Sequence, residues 1–191
     1  NTPPIDFEKW NIETKPLKDT SYEQSKIFVE RKRDSLRRSY LRGSLSLQAV
    51  GNAFTELWLN RLMPYWYGTP WTFEGHTDRP QQSSIACGYL VSTSLKHMGL
   101  NLNRFRMAQQ SSANAARSLA LGEKPKVFRG GKGSETDDWL EMQKDGLFIV
   151  GLDNHVGIVL VRQGKSFFIH STYVYPTEVQ IEQTVDSSPF F

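Results

Sequence analysis

Apolar positions along this chain change their spacing, and the change separates a helical first part from a stranded last third. Between Ser21 and Met63, the residues Leu47, Val50, Phe54, Leu57, Trp58 and Leu62 recur at steps of three and four, as on a helix with one buried stripe. Ser21 or Thr20 can cap its start, with Glu23 placed to favour the positive helix end, and Gly43-Ser44 divides the stretch into two helices. A further helix is expected from Cys87 to Met98, with Gly99 as a left-handed cap, and another over 104–121, rich in alanine and glutamine. Leu147–Leu152, His155–Arg162 and Ser166–Tyr173 are strand-like runs separated by the short turns Asp153-Asn154 and Gln163-Gly164. Helices first and sheet second predict an α+β fold with helices packed on an antiparallel sheet.

The remaining segments follow neither period. Residues 1–20 hold Pro3, Pro4 and Pro16, which fix φ and remove donors, so an extended arm is expected, either a lid or a strap that completes the core. Together with the following basic helix it makes a unit of residues 1–44 ahead of a main domain of 45–191. Tyr65–His76 is aromatic and turn-rich, serving as core and turn or as the wall of a cleft. Gly130-Gly131-Lys132-Gly133-Ser134 is expected as a loop without phosphate-binding spacing.

Composition narrows the class. The 191 residues are 38% hydrophobic and include 14 glycines, which suits one domain with a real core and excludes disorder of the whole. No apolar run approaches the ~18–20 residues of a membrane helix. The numbering opens at Asn1 without a basic-then-apolar signal segment, so a targeting segment was removed or the chain was trimmed. Arg31–Arg42 is half basic, a solvated helix face or a contact for anionic polymers, but a net charge of +3 is too small to argue for nucleic acid.

Cys87 is the single cysteine, which excludes an internal disulfide and a CxxC metal site and raises the question of a nucleophile. At a helix start, backbone N–H groups and the dipole favour a thiolate and can hold an oxyanion; the plainer reading is a buried cysteine acting as a small hydrophobe. Histidine placement bears on this choice. If the last two strands form a hairpin about Gln163-Gly164, Arg162 pairs with Lys165 and His155 lies opposite Thr172. His155 and His170 then share a face as diagonal neighbours ~7–8 Å apart at Cα. One imidazole can act as a base while the other fixes its tautomer; otherwise they are two polar residues on a wet face. His97 points elsewhere, about 280° around the helix from Cys87, and suits a charged histidine at a helix C-terminus. Glu74, His76 and Asp78 alternate like metal ligands, but a structural or substrate-side role for His76 is preferred, with no metal and no organic cofactor expected.

These residues resemble the NlpC-type cysteine peptidases of the papain-like superfamily, which cut cell-wall peptides. Gly68-Thr69-Pro70-Trp71 followed by Gly75 is similar to the family's Gly-Thr-Pro-Tyr approach to the site. Ile85-Ala86-Cys87-Gly88-Tyr89-Leu90-Val91 resembles the nucleophile helix, and Asp145-Gly146-Leu147 the lead into the sheet. His155–Leu160 and Phe168-Ile169-His170-Ser171 resemble the two-strand histidine motif. The matched pieces span about residues 45–175. The resemblance implies Cys87 as nucleophile, His155 as base and His170 as the orienting residue. On the substrate side we expect Tyr67, Trp71, Phe73, His76 and Gly88. The implied reaction is amide hydrolysis through a thioester, on cell-wall peptide, in an extracytoplasmic bacterial setting. Ala86 and Gly88 stand where the family commonly has Asp and Ser, and Trp71 where a tyrosine is often found, so those polar substrate contacts are absent. Two other readings stand beside this one. A papain-like acyltransferase or thioesterase predicts an apolar cleft around Trp66, Trp71 and Phe73. An inactive binding module predicts an ordinary Cys87 pKa near ~8.5.

Overall fold

The computed structural model describes residues 5–120, 124–128 and 133–187. Helix α1 (Tyr22–Leu41) starts at Ser21, whose hydroxyl accepts from the Gln24 N–H while the Gln24 side chain accepts from the Ser21 N–H, a closed capping box. The basic run from Arg31 lies on its outer side, almost wholly solvated. Helix α2 (Leu47–Leu57) continues through a wide π-type turn, Trp58–Leu62, into α3 (Met63–Trp66). The Met63 N–H reaches the Trp58 carbonyl five residues back, and Pro64, which has no N–H to give, follows at once. The widened turn sends Trp58, Leu59, Leu62, Met63 and Trp66 all into the core.

Helix α4 (Cys87–His97) ends on Met98, with Gly99 at φ +90° in the left-handed position expected of it. The single helix expected over 104–121 is two: α5 (Arg104–Ala108) and α6 (Ser112–Leu119), broken at Gln109–Ser111. Asn103 and Ser111 each cap a separate start, because a short polar side chain binds a free N–H more readily than it continues a helix. The break lets the Ser112 hydroxyl reach the Leu152 carbonyl (2.6 Å) and lay α6 on the sheet. Gly133 and Ser134, expected in a loop, open α7 (Gly133–Glu141), with residues 130–132 outside the described part.

Strands β1 (Gly146–Gly151), β2 (Val156–Arg162), β3 (Lys165–Ser171) and β4 (Val179–Gln183) form an antiparallel sheet in that order. The fold is therefore α+β, with one strand more than the sequence reading expects. β2 is buried along its length because both its faces are covered. Val156, Ile158 and Leu160 join the main core with α4 and the α2–α3 helix, whereas Val159 and Val161 meet Phe168 and Leu140 beneath α7. Arg162 pairs with Lys165 as expected, through Gln163 (φ +52°) and Gly164 (φ +71°). Two consecutive positive φ angles define the tight hairpin turn whose twist matches the strands.

In its described part, from residue 5, the arm is a strap. Ile12 is buried, and Phe7 and Trp10 pack their rings on Phe167. The arm is fastened by Arg162, which donates to the carbonyls of Trp10 (3.0 Å) and Asn11 (2.9 Å) and pairs with Glu56. Arg162 sits at the opposite end of β2 from His155, about 23 Å away along an extended strand. At the other pole, Trp66 Nε1 donates to the Tyr22 hydroxyl, which lies 2.8 Å from His97 Nδ1. Burial drives His97 down to about 4, so it is a neutral acceptor and not the charged helix end expected from its position.

Arg162 is nearly enclosed, and removing its charge takes the donor from the Trp10 carbonyl, leaving the Asn11 carbonyl to the Asn60 side chain alone and Glu56 to the side chains of Asn60 and Asn11. Arg162→Met is expected to cost about 2 kcal/mol in urea unfolding and to expose the peptide bonds near Trp10 to protease first. An unchanged midpoint would show that the strap contributes nothing.

Candidate active site

The segment leading to Cys87 is fixed by backbone hydrogen bonds. Gly68 and Val179 bond through Gly68 N–H to Val179 O and Val179 N–H to Thr69 O (2.8 Å each), and the Trp71 N–H reaches Thr177 O (2.8 Å), so 68–71 runs beside the start of β4. The chain then turns back: the Ile85 N–H donates to Pro70 O (2.9 Å) and the Ala86 N–H to Gly75 O (2.8 Å). A Cβ on Gly75 would lie 2.6 Å from the Ile85 nitrogen, so only glycine permits this approach. The Ser171 hydroxyl, at the end of β3, holds the Ile85 carbonyl at 2.6 Å. Cys87 therefore opens α4 at a place set by both β3 and β4.

Ala86 provides no side-chain cap, and the N–H groups of α4's first turn remain for a ligand or a developing anion. The thiol is largely enclosed. Burial raises its pKa, against opposing hydrogen bonds from the backbone of Val156, Gly88 and Cys87 itself. The net direction overturns the expectation of a lowered thiol pKa. Desolvation of the sulfur outweighs the helix end, and the resting group is a thiol.

The Val156 N–H that meets this thiol belongs to the residue after His155. His155 Nε2 lies 2.8 Å from His170 Nδ1, the rings at 86° to each other, and His170 Nε2 lies 3.0 Å from Glu182 Oε1. The diagonal pairing expected from the hairpin is thus present, and Glu182 on β4 extends it. Phe168 stacks on His170 at 4.3 Å and Tyr173 closes on His155 at 5.5 Å. Gln180 Nε2 holds the second Glu182 oxygen at 3.2 Å.

Hydrogen-bonding capacity orders the protons along this row. A carboxylate at Glu182 only accepts, so His170 Nε2 carries a hydrogen, and an imidazole with its one hydrogen there accepts at Nδ1. His155 must then carry its hydrogen on Nε2, which leaves its Nδ1 as a bare lone pair. That Nδ1 is buried and has no hydrogen-bond partner among the described residues. Burial first and His170 second push His155 down to about 3, so it is neutral at ordinary pH. The arrangement presents an unprotonated ring nitrogen without a partner among the described residues, one residue before the Val156 N–H that meets the thiol, with a carboxylate at the far end of the row that would stabilise an imidazolium.

Of the expected substrate-side residues, the structure brings one to this row. Trp71 lies 6.0 Å from Tyr173, which in turn touches His155. Gly88 packs so tightly on α5 that a Cβ would lie 2.7 Å from the Ala108 carbonyl oxygen, leaving no room for the serine of the family pattern. His76 bonds its own loop at Glu74 O (2.8 Å) and rests on Tyr89 and Phe105. Phe73 is 84% exposed. The Tyr67 hydroxyl is buried without a hydrogen-bond partner among the described residues, and burial pushes the phenol far above its usual range. Among the described residues no three His, Cys, Asp or Glu side chains gather as metal ligands, and no helix is long and apolar enough to cross a membrane.

Glu182 escapes the sequence reading because β4 does. Val179, Gln180, Ile181, Glu182 and Gln183 alternate, but the run is short and largely polar. The signal was the alternation itself, which puts Gln180 and Glu182 on one face.

A cavity of about 940 Å³ runs beside β1 between α6 and α7 and ends on His155 and Tyr173. No protein-family model, curated protein or solved structure matches this chain.

Because His155 and His97 are neutral when folded, acid acts on stability through them. Their ordinary pKa in the unfolded chain is ~6.5, against about 3 and about 4 when folded. Between these values the unfolded chain binds the protons and the native state does not, so stability falls as the pH is lowered from about 6.5. The slope approaches ~1.4 kcal/mol per pH unit for each histidine. Urea unfolding of His155→Asn and His97→Asn should each show a shallower acid slope than wild type. Parallel curves would show that neither histidine is held neutral.

Proposed function

We propose that this chain is a papain-like cysteine hydrolase of the NlpC type that cleaves an amide bond. The leading substrate class is bacterial cell-wall peptide, and the setting is extracytoplasmic. The observation that carries the reading is the row Glu182–His170–His155, whose one unpartnered nitrogen belongs to the residue next to the thiol's own backbone partner. A structural histidine pair has no need of a bare, buried lone pair. The family assignment itself rests on the quoted motifs.

Attack proceeds from the neutral pair. As the Cys87 sulfur adds to the carbonyl carbon, its proton passes to His155 Nδ1, and the new imidazolium is stabilised through His170 by Glu182. The oxyanion takes hydrogen bonds from the first-turn N–H groups of α4. Cleavage of the C–N bond draws the proton from His155 Nδ1 to the leaving nitrogen, leaving a thioester. Water then attacks the thioester carbon, His155 takes its proton, and the sulfur leaves and recovers that proton to restore the thiol. No metal or organic cofactor enters these steps.

An acyltransferase or thioesterase would want an apolar cleft around Trp66, Trp71 and Phe73. Trp66 is fully buried in the core while Phe73 stands in solvent, so these three do not form one.

The decisive experiment is digestion of purified peptidoglycan and its stem peptides by wild type and by Cys87→Ala, read by mass spectrometry. A fragment produced by wild type alone supports the reading; no fragment from any wall peptide sinks the substrate class. With a cleaved peptide in hand, Glu182→Gln should lower kcat by a factor between about 10 and 100, the scale seen when the carboxylate orienting a metal-bound histidine is removed, with KM little changed. Because His155 stays neutral, wild-type kcat/KM should hold level from pH 7 down to about 5. An acid limb centred near pH 6.5 would mean that the base is not the histidine described.

A further inference from the structure

The cavity that ends on His155 has an unusual wall. Every residue from Leu147 to Asn154 lines it, although successive side chains on a strand point to opposite faces. A wall made of consecutive residues is therefore the strand's edge. β1 pairs with β2 alone. The hydrogen bond from Leu152 N–H to His155 O (2.8 Å) fixes which groups are spent in that pairing. By alternation Val150, Phe148 and Gly146 bond to β2, and Leu147, Ile149 and Gly151 turn their N–H and C=O groups outward. Among the described residues, nothing bonds to those outward groups.

The rest of the wall is selective. Leu119, Phe128 and Trp139 supply apolar surface, while Arg117, Lys124 and Lys126 supply three cations against the one carboxylate of Asp153. We propose that this groove is a peptide-binding cleft and that it takes an extended, acidic peptide, which adds to the open edge of β1 as a fifth strand with one end reaching His155. Main-chain hydrogen bonds to Leu147, Ile149 and Gly151 would fix its direction and register. Alternate side chains would enter the apolar walls, and carboxylates would meet the three cations. An acyl chain fits the apolar surface but has no use for a row of free amides. The inference rests on the hydrolase reading for what happens at His155, but binding stands apart from turnover.

The test uses the full chain carrying Cys87→Ala and acetylated heptapeptide pools in which every second residue is Val and the others are all Glu, all Gln or all Lys. The Glu pool should slow amide hydrogen exchange at Leu147, Ile149 and Gly151 by about tenfold at a concentration near ten times its Kd, the Gln pool less, and the Lys pool not at all. N-methylation of alternate peptide bonds should abolish the effect. The double variant Arg117→Glu, Lys126→Glu should reverse the preference between Glu and Lys pools. Equal or stronger protection by the Lys pool, or none by any pool, overturns the proposal. So does myristate that binds the groove and shifts Trp139 while leaving those amides exchanging freely. Protection without cleavage of any bound peptide by wild type would sink the hydrolase reading and leave the groove. Cleavage of wall peptides without protection would do the reverse.

Discussion

The turn at Gln163-Gly164 is the constraint on which the candidate site depends. Its two positive φ angles pair Arg162 with Lys165, and strand geometry carries that register to the far end, where His155 and His170 become diagonal neighbours. A slip of one residue would send one of the two rings to the opposite face. It would also move Phe168 and Ser166 out from beneath α7, where Ser166 shares Asp137 with Thr184. The register is thus held at both ends, by turn chemistry and by a buried polar cluster that tolerates no other alignment.

Burial sets the electrostatics of the row. A thiol pushed up and an imidazole pushed down cannot hold a resting ion pair. On the hydrolase reading, the charge separation is made only when substrate arrives, and Glu182 lowers its cost. The row has a carboxylate at one end, a nitrogen without a partner among the described residues at the other, and two hydrogen-bonded rings between. Removing Glu182 would leave the rings in place but free their protons to redistribute.

The three- and four-residue steps from Leu47 to Leu62 foretold the helix but not its π-type turn, since a stripe of apolar residues does not reveal that Pro64 displaces the hydrogen bonds before it. The strand period and the turn residues yielded the histidine pair correctly, because a hairpin is a local structure whose register needs no distant information. The thiol's direction of shift was missed because the helix dipole is local, whereas the desolvation that defeats it comes from β2 and β3. β4 and Glu182 were missed for a related reason. A short strand with glutamines and glutamate on one face becomes a strand only when β3 and the 68–71 segment flank it. The single helix expected over 104–121 breaks at Ser111, where capping of a new start by the serine hydroxyl outweighs the helix propensity of the alanines around it.

The two edges of the sheet also differ in a way that composition alone does not explain. β4 is guarded, with Gln180, Glu182 and Gln183 along it and the 68–71 segment laid against its start. β1 is Gly-Leu-Phe-Ile-Val-Gly, without a charge or a proline. A bare apolar edge of this kind invites pairing with other chains, and proteins ordinarily blunt it with lysine, proline or a bulge. Here the edge is recessed between α6 and α7 instead of blunted. Recessing denies access to another sheet while admitting a single extended chain. A protein with no use for such access could have closed it with one lysine on β1. That β1 keeps its outward amides, in a groove that ends at His155, would on the hydrolase reading tie the shape of the sheet's edge to the chemistry at its end.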